Sequence, residues 1–169
     1  MDHLSDKSVQ YREVFACFGL AMYHTQCLEK EIGILLATQF NPRFLASNEE
    51  KRDRAFDAAF AKTLGMLITE LKKTMNVPSD LEARLVQAVK ARNWLSHHYF
   101  WERSGHILTE EGREYMIEEL TKTAEEMNQL DNLLTTLGME WFKQHGITNE
   151  LLQEHLAQLV EETKRRLTQ

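Results

Sequence analysis

Residues 79–100 read SDLEARLVQAVKARNWLSHHYF, and the spacing of their apolar members decides the fold. Leu81, Leu85, Ala88, Val89, Leu95 and Tyr99 recur at the period of an α-helix rather than at the alternation of a strand. Ser79 followed by Glu82 has the pattern of a capping box, which predicts a helix starting just after Pro78, near Asp80. Projected at about 100° per residue, Arg92 falls about 20° from the direction of Leu81 and Tyr99, on the apolar stripe itself. A guanidinium taken out of water is costly unless an anion receives its donors, so this position demands a partner.

Working outward, the same period governs nearly the whole chain. A first helix is predicted from Ser8 to Gln39, with the inward stripe Tyr11, Phe15, Phe18 and Met22 continuing through Thr25, Gln26 and Glu29 to Ile32, Gly33 and Leu36; Asn41-Pro42 stops it. Glu29 thereby faces inward and can receive Arg92. Two readings of that pair stay open: a buried ion pair that fixes helix register, or a polar pocket built for an anion. Ser47 with Glu50 predicts the start of a second helix along Phe56, Phe60, Leu64, Leu67, Ile68, Leu71 and Met75, ended by Asn76-Val77-Pro78. The third helix carries the opening stretch and fades near Ser104-Gly105. Thr109 caps a fourth, striped by Met116, Leu120, Met127, Leu130, Leu134 and Leu137 and closed by Gly138. A short Met139 to His145 segment follows. Thr148 then caps a last helix through Leu151, Leu152, Leu156, Leu159 and Val160 to a basic end at Lys164, Arg165 and Arg166. Connections this short predict an all-α, antiparallel up-down four-helix bundle over residues 1–138, with residues 139–169 as a C-terminal helical extension of the same domain.

Composition narrows the possible functions. A chain of 169 residues with 43% hydrophobic content suits one domain burying about two-thirds of its unfolded surface. Cys17 and Cys27 have no metal-type spacing and read as reduced core residues. No basic start leads into an apolar run, and no window approaches membrane-spanning length, so a cytoplasmic protein with no membrane partner is expected. A net charge of −6 argues against general coating of nucleic acid. The charge is nonetheless uneven. Arg84, Lys90, Arg92 and Arg103 outnumber Asp80, Glu82 and Glu102 along the third helix, whereas the glutamates at 110, 111, 114, 118, 119, 125 and 126 read as a solvated face. His3, His24, His106, His145 and His155 are isolated, and the paired Glu-x-x-His pattern of di-iron bundles is missing. Neither a metal nor another cofactor is expected, and no Gly-rich phosphate loop or nucleophile elbow occurs.

Within the opening stretch, Arg92-Asn93-Trp94-Leu95-Ser96-His97 resembles the arginine, polar residue, spacer and histidine signature of the HEPN superfamily, and His97-His98-Tyr99 resembles the His-x-Tyr extension of its toxin members. The resemblance is confined to this window and to its place on the third of four long helices. It implies an all-α fold, a homodimer, and a metal-independent endoribonuclease acting on RNA as a toxin or defence enzyme, with Arg92, Asn93 and His97 as its catalytic residues. An antitoxin is an implied partner, as is a nucleotidyltransferase that modifies the residue at the Tyr99 position. Other members are silent, so the alternative is a dimer that serves as a protein-binding or regulatory module.

The chemistry of these side chains can be followed without the resemblance. Asn93 and His97, four apart, lie within about 40° of each other on a helix, while Arg92 and His97 diverge by about 140°. One helix alone makes a poor site; two motif helices meeting across a two-fold axis could line one cleft with both sets. RNA carries its own nucleophile, the 2′-hydroxyl, so cleavage needs a base, an acid and a cation for the phosphoryl oxygens. An imidazole titrates near neutrality and can serve as the first two, and an arginine fork suits the third. His98 points about 100° away from His97 and reads as a solvent or interface residue, and Tyr99 reads as packed with its hydroxyl hydrogen-bonded. Trp94 and Trp101, seven apart, are expected to be exposed together on a subunit interface.

Overall fold

The computed structural model describes residues 3–41, 43–44, 46–74, 76–146 and 149–167. Seven α-helices and one 3₁₀ turn account for most of them: α1 (His3–Thr38), α2 (Glu49–Phe60), α3 (Leu64–Thr74), α4 (Ser79–His97), α5 (Tyr99–Glu102), the 3₁₀ turn His106–Leu108, α6 (Glu110–Gln144) and α7 (Asn149–Leu167). No strand occurs among the described residues, and the protein is an all-α helical bundle. Pro42, Met75 and Thr148, on which three expected boundaries rest, lie outside the described residues, as do the side chains of His3, Leu151, Leu152, His155 and Leu159.

Several boundaries differ from those predicted, among them the start of α1 at His3 rather than Ser8 and the break of the third helix at His98. The expected second helix is two, because α2 and α3 are turned at residues 61–63 so that both can pack on α1. Thr63 supplies the new start by accepting the Met66 N–H at 3.5 Å, and Lys62 pairs with Glu70 across the turn. The cap of α2 is Asn48, whose side chain accepts from Lys51 N at 3.1 Å, while Ser47 turns its hydroxyl back to Arg43 O at 2.6 Å. Pro78 rather than Ser79 caps α4, making no side-chain hydrogen bond, and Glu82 instead pairs with Lys72 of α3. Gly138 does not close the fourth helix, since α6 passes through it to Gln144. Thr109 does cap α6, accepting Gly112 N at 3.1 Å. Gly112 must be glycine there, because a Cβ would sit 2.1 Å from the His106 carbonyl oxygen.

The chain divides into two compact units, Met1–Leu134 and Thr135–Gln169. In the first, the core forms two clusters. One gathers Leu28, Ile32 and Leu35 of α1, Leu64, Leu67 and Leu71 of α3, Leu81, Leu85 and Ala88 of α4, and Met127, Leu130 and Leu134 of α6. The other gathers Val14 and Ala21 of α1, Leu95 and Tyr99, and Met116, Leu120 and Ala124 of α6. The helices pass from one cluster to the other between Ala21 and Leu28, between Ala88 and Leu95, and between Ala124 and Met127, so α4 runs opposite to α1 and α6. Buried Thr25 and half-buried Arg92 stand at that division, Thr25 returning its hydroxyl to Ala21 O at 2.8 Å.

The inward stripe of α1 is rotated from the one predicted. Val14, Ala21, Thr25, Leu28 and Ile32 are buried, whereas Phe15 is 53% exposed and Gln26 is exposed. Leu28 therefore takes the inward place expected for Glu29, which lies about 100° round the helix and is half-buried. Close contact with α2 is set by Gly33, where a Cβ would meet the Phe60 ring at 3.1 Å. In the second unit, Trp141 stacks on His145 with centroids 4.1 Å apart and accepts the His145 ring nitrogen on its carbonyl at 2.8 Å. There, α7 ends in Lys164, Arg165 and Arg166, complementing its negative C-terminus.

Candidate functional site

The motif occupies the last turns of α4 and the bend that follows. Asn93, His97 and His98 are exposed, and Arg92 is half-buried. The expected Arg92–Glu29 ion pair is not formed. With Leu28 in the inward position, Glu29 is displaced, and the long arginine stem carries its head off the core stripe toward solvent. Among the described residues the Arg92 guanidinium meets one acceptor, Oδ1 of Asn93, at 3.3 Å from Nη1. A neutral amide leaves its positive charge uncompensated. The geometry thus joins Arg92 to Asn93, and Asn93 and His97 sit one turn apart on the open face of α4.

His97 is the last residue of α4. His98 breaks the helix with φ −130° and ψ −23°, and the two imidazoles stand with centroids 6.2 Å apart. Tyr99 then turns inward. It is 1% exposed and its hydroxyl donates to the Met116 carbonyl at 3.4 Å. Burial and the nearby Glu119 carboxylate push its phenol above the usual tyrosine range. So placed, Tyr99 packs as its position on the stripe predicted, and its hydroxyl is inaccessible to a modifying enzyme in this conformation.

The tryptophans part company. Trp101 is 85% exposed, but Trp94 is half-buried, edge-on to Tyr99 at 4.8 Å, with its indole N–H donating to Glu102 at 2.8 Å. Its ring also lies 5.2 Å under the Arg103 guanidinium. Arg103 in turn forks onto Glu119 of α6, Nε to Oε2 at 2.9 Å and Nη2 to Oε1 at 2.7 Å, while the Tyr115 hydroxyl donates to the same carboxylate at 3.1 Å. Sequence reasoning missed Arg103 and Glu119. Glu119 reads as one of seven glutamates on a solvated face, yet it follows Met116 by three and precedes Leu120, so it borders the buried stripe of α6.

No group of three or more histidine, cysteine or acidic side chains placed to hold a metal occurs among the described residues. A groove of about 420 Å³ between α4 and α6, floored by Ala88, Met127 and Leu130 and edged by Arg84 and Glu126, holds none of the motif residues. No helix among the described residues is long and apolar enough to cross a membrane. Comparison with family models, with curated proteins and with solved structures finds no match to this chain.

Proposed function

We propose that the protein is a metal-independent endoribonuclease of the HEPN type, acting in the cytoplasm as a homodimer, as a toxin or defence enzyme. One observation carries this reading: Asn93 and His97 stand exposed one turn apart at the end of α4, beside a half-buried Arg92 whose guanidinium is held, among the described residues, by the neutral Asn93 amide alone. An ion pair serving the fold alone would have carried a carboxylate at that place. In the proposed mechanism one His97 removes the 2′-hydroxyl proton, its two-fold mate protonates the departing 5′-oxygen, and Arg92 holds the phosphoryl oxygens as charge builds. Asn93 orients the guanidinium. The products are a 2′,3′-cyclic phosphate and a 5′-hydroxyl, and DNA, lacking the nucleophile, is left intact.

The test is RNA cleavage by the purified protein in chelator, beside Arg92→Ala and His97→Ala, with a mass measurement in solution. Chelator-resistant cleavage lost in both variants, from a dimer, is the expected result. Equal cleavage by parent and His97→Ala would refute it. The net charge of −6 favours a second reading, a silent dimer of the same fold that binds protein rather than RNA; that reading expects a dimer with no cleavage at all.

A further inference from the structure

The run from Ser79 to Glu102 bends at His98 without a proline or a glycine, so the bend is imposed by contacts and not by the local backbone. Those contacts converge on Trp94. Its indole N–H reaches across the bend to Glu102, and its ring contacts both Tyr99 and the Arg103 guanidinium. In a straight helix residues 94 and 102 would be about 12 Å apart along the axis, so the Trp94–Glu102 bond fixes how far the chain folds back. Arg103 is itself locked, because a bidentate fork onto Glu119 sets both its distance and the plane of its guanidinium. Arg103 and Glu119 are only 19% and 20% exposed, and Tyr115 braces the carboxylate.

We infer that Arg103 and Glu119 are positioning residues for the motif histidines, their fork clamping Trp94 so that the bend at His98 presents His97 at the end of α4 in one orientation. The inference rests on the ribonuclease reading and deepens it. A lysine at 103 keeps the charge but has a single rotatable ammonium in place of the planar fork, so it can neutralise Glu119 without fixing the plane that covers Trp94. Glu119→Gln keeps the shape and removes the charge that holds the fork. Neither residue touches RNA in this scheme, so substrate binding is untouched while the placement of His97 relaxes.

The experiment compares the full-length parent with Arg103→Lys, Glu119→Gln and, as a control in the aliphatic cluster, Leu67→Ala. Each is measured for kcat and KM on RNA, for melting temperature, and for the Cε1–H resonance of His97 by NMR. Arg103→Lys and Glu119→Gln should lose about tenfold or more in kcat with KM within about twofold, as expected for a misplaced catalytic group. Both should shift the His97 resonance. Leu67→Ala should lower the melting temperature as much or more and leave kcat and the resonance of the folded protein where they were. Parental kcat and an unmoved His97 resonance in Arg103→Lys and Glu119→Gln, or equal changes in Leu67→Ala, would overturn the positioning role. A parent that cuts no RNA would overturn the ribonuclease reading instead, and the His97 resonance, which needs no activity, would still decide between a clamp and a simple strut.

Discussion

On one side of the level marked by Thr25 and Arg92, the centre of the core is aliphatic, filled by Leu28, Ile32, Leu67, Leu71, Leu85 and Leu130, with buried Thr38 and the rings of Phe44, Phe56 and Phe60 on the same side. On the other side the same long helices meet through Tyr99, Trp94, Phe18 and Phe100, whose rings contact at 4.8 to 5.8 Å, and through the Arg103–Glu119 fork. Buried Arg113 belongs to that side as well, donating to Gln10 at 2.9 Å and to the Ile107 carbonyl at 3.2 Å. Aliphatic packing stabilises by area and volume and tolerates rotation; ring edges, forks and hydrogen bonds fix angles. The division of labour teaches where orientation is needed. Of the two cores, the one beside the motif is the one that holds a buried arginine and a bidentate fork.

The largest effect should come from the aliphatic half. Fully buried Leu85→Ala should lose about 2–5 kcal/mol in urea or thermal unfolding, with cleavage per folded molecule unchanged. A loss under about 1 kcal/mol there would mean the two halves do not differ in how they stabilise. Glu119→Ala removes a fork that is one-fifth exposed, so its loss should be smaller, about 1–2 kcal/mol, and should fall with added salt.

Tyr99→Phe sharpens the comparison further, because the hydroxyl bond it deletes is long; about 0.5–1 kcal/mol is expected. Its signature is in the alkaline range. With the folded phenol raised above its unfolded value, stability is complete below the ordinary tyrosine pKa of about 10 and declines as pH rises past it, and Tyr99→Phe should lack its share of that decline. Asp131→Asn gives the smallest change. Burial raises its carboxyl, partly offset by His24, so the folded state favours the protonated form and stability falls as pH rises through the carboxylate range. The asparagine variant should be slightly the more stable at neutral pH and indistinguishable from the parent in acid, as read by melting temperature.

The all-α architecture was legible because long stripes such as Leu81, Leu85, Ala88 and Leu95 repeat at one period, whereas Arg92, expected on that stripe, is only half-buried. What failed were features set by neighbours. On α1, two adjacent stripes are both apolar enough, and only packing chose Val14, Ala21 and Leu28 over Tyr11, Phe15 and Met22, which moved Glu29 out of reach of Arg92. The turn at 61–63 and the bend at His98 contain no proline or glycine to announce them. Gly138, which looked like a stop, costs a helix only about 1 kcal/mol and was carried through. The exposed Asn93 and His97 and the half-buried Arg92 were within reach of sequence reasoning; the Arg103–Glu119 clamp, joining a residue just past α5 to one 16 further on in α6, was not.

The most direct measurement is end-group analysis of RNA incubated with the purified dimer in chelator, run beside His97→Ala of equal melting temperature. The expected result is 2′,3′-cyclic phosphate ends that appear with the parent and vanish with the variant, while a matching DNA strand stays whole. Cleavage of DNA and RNA alike, or cyclic ends produced at the parental rate without His97, would contradict it.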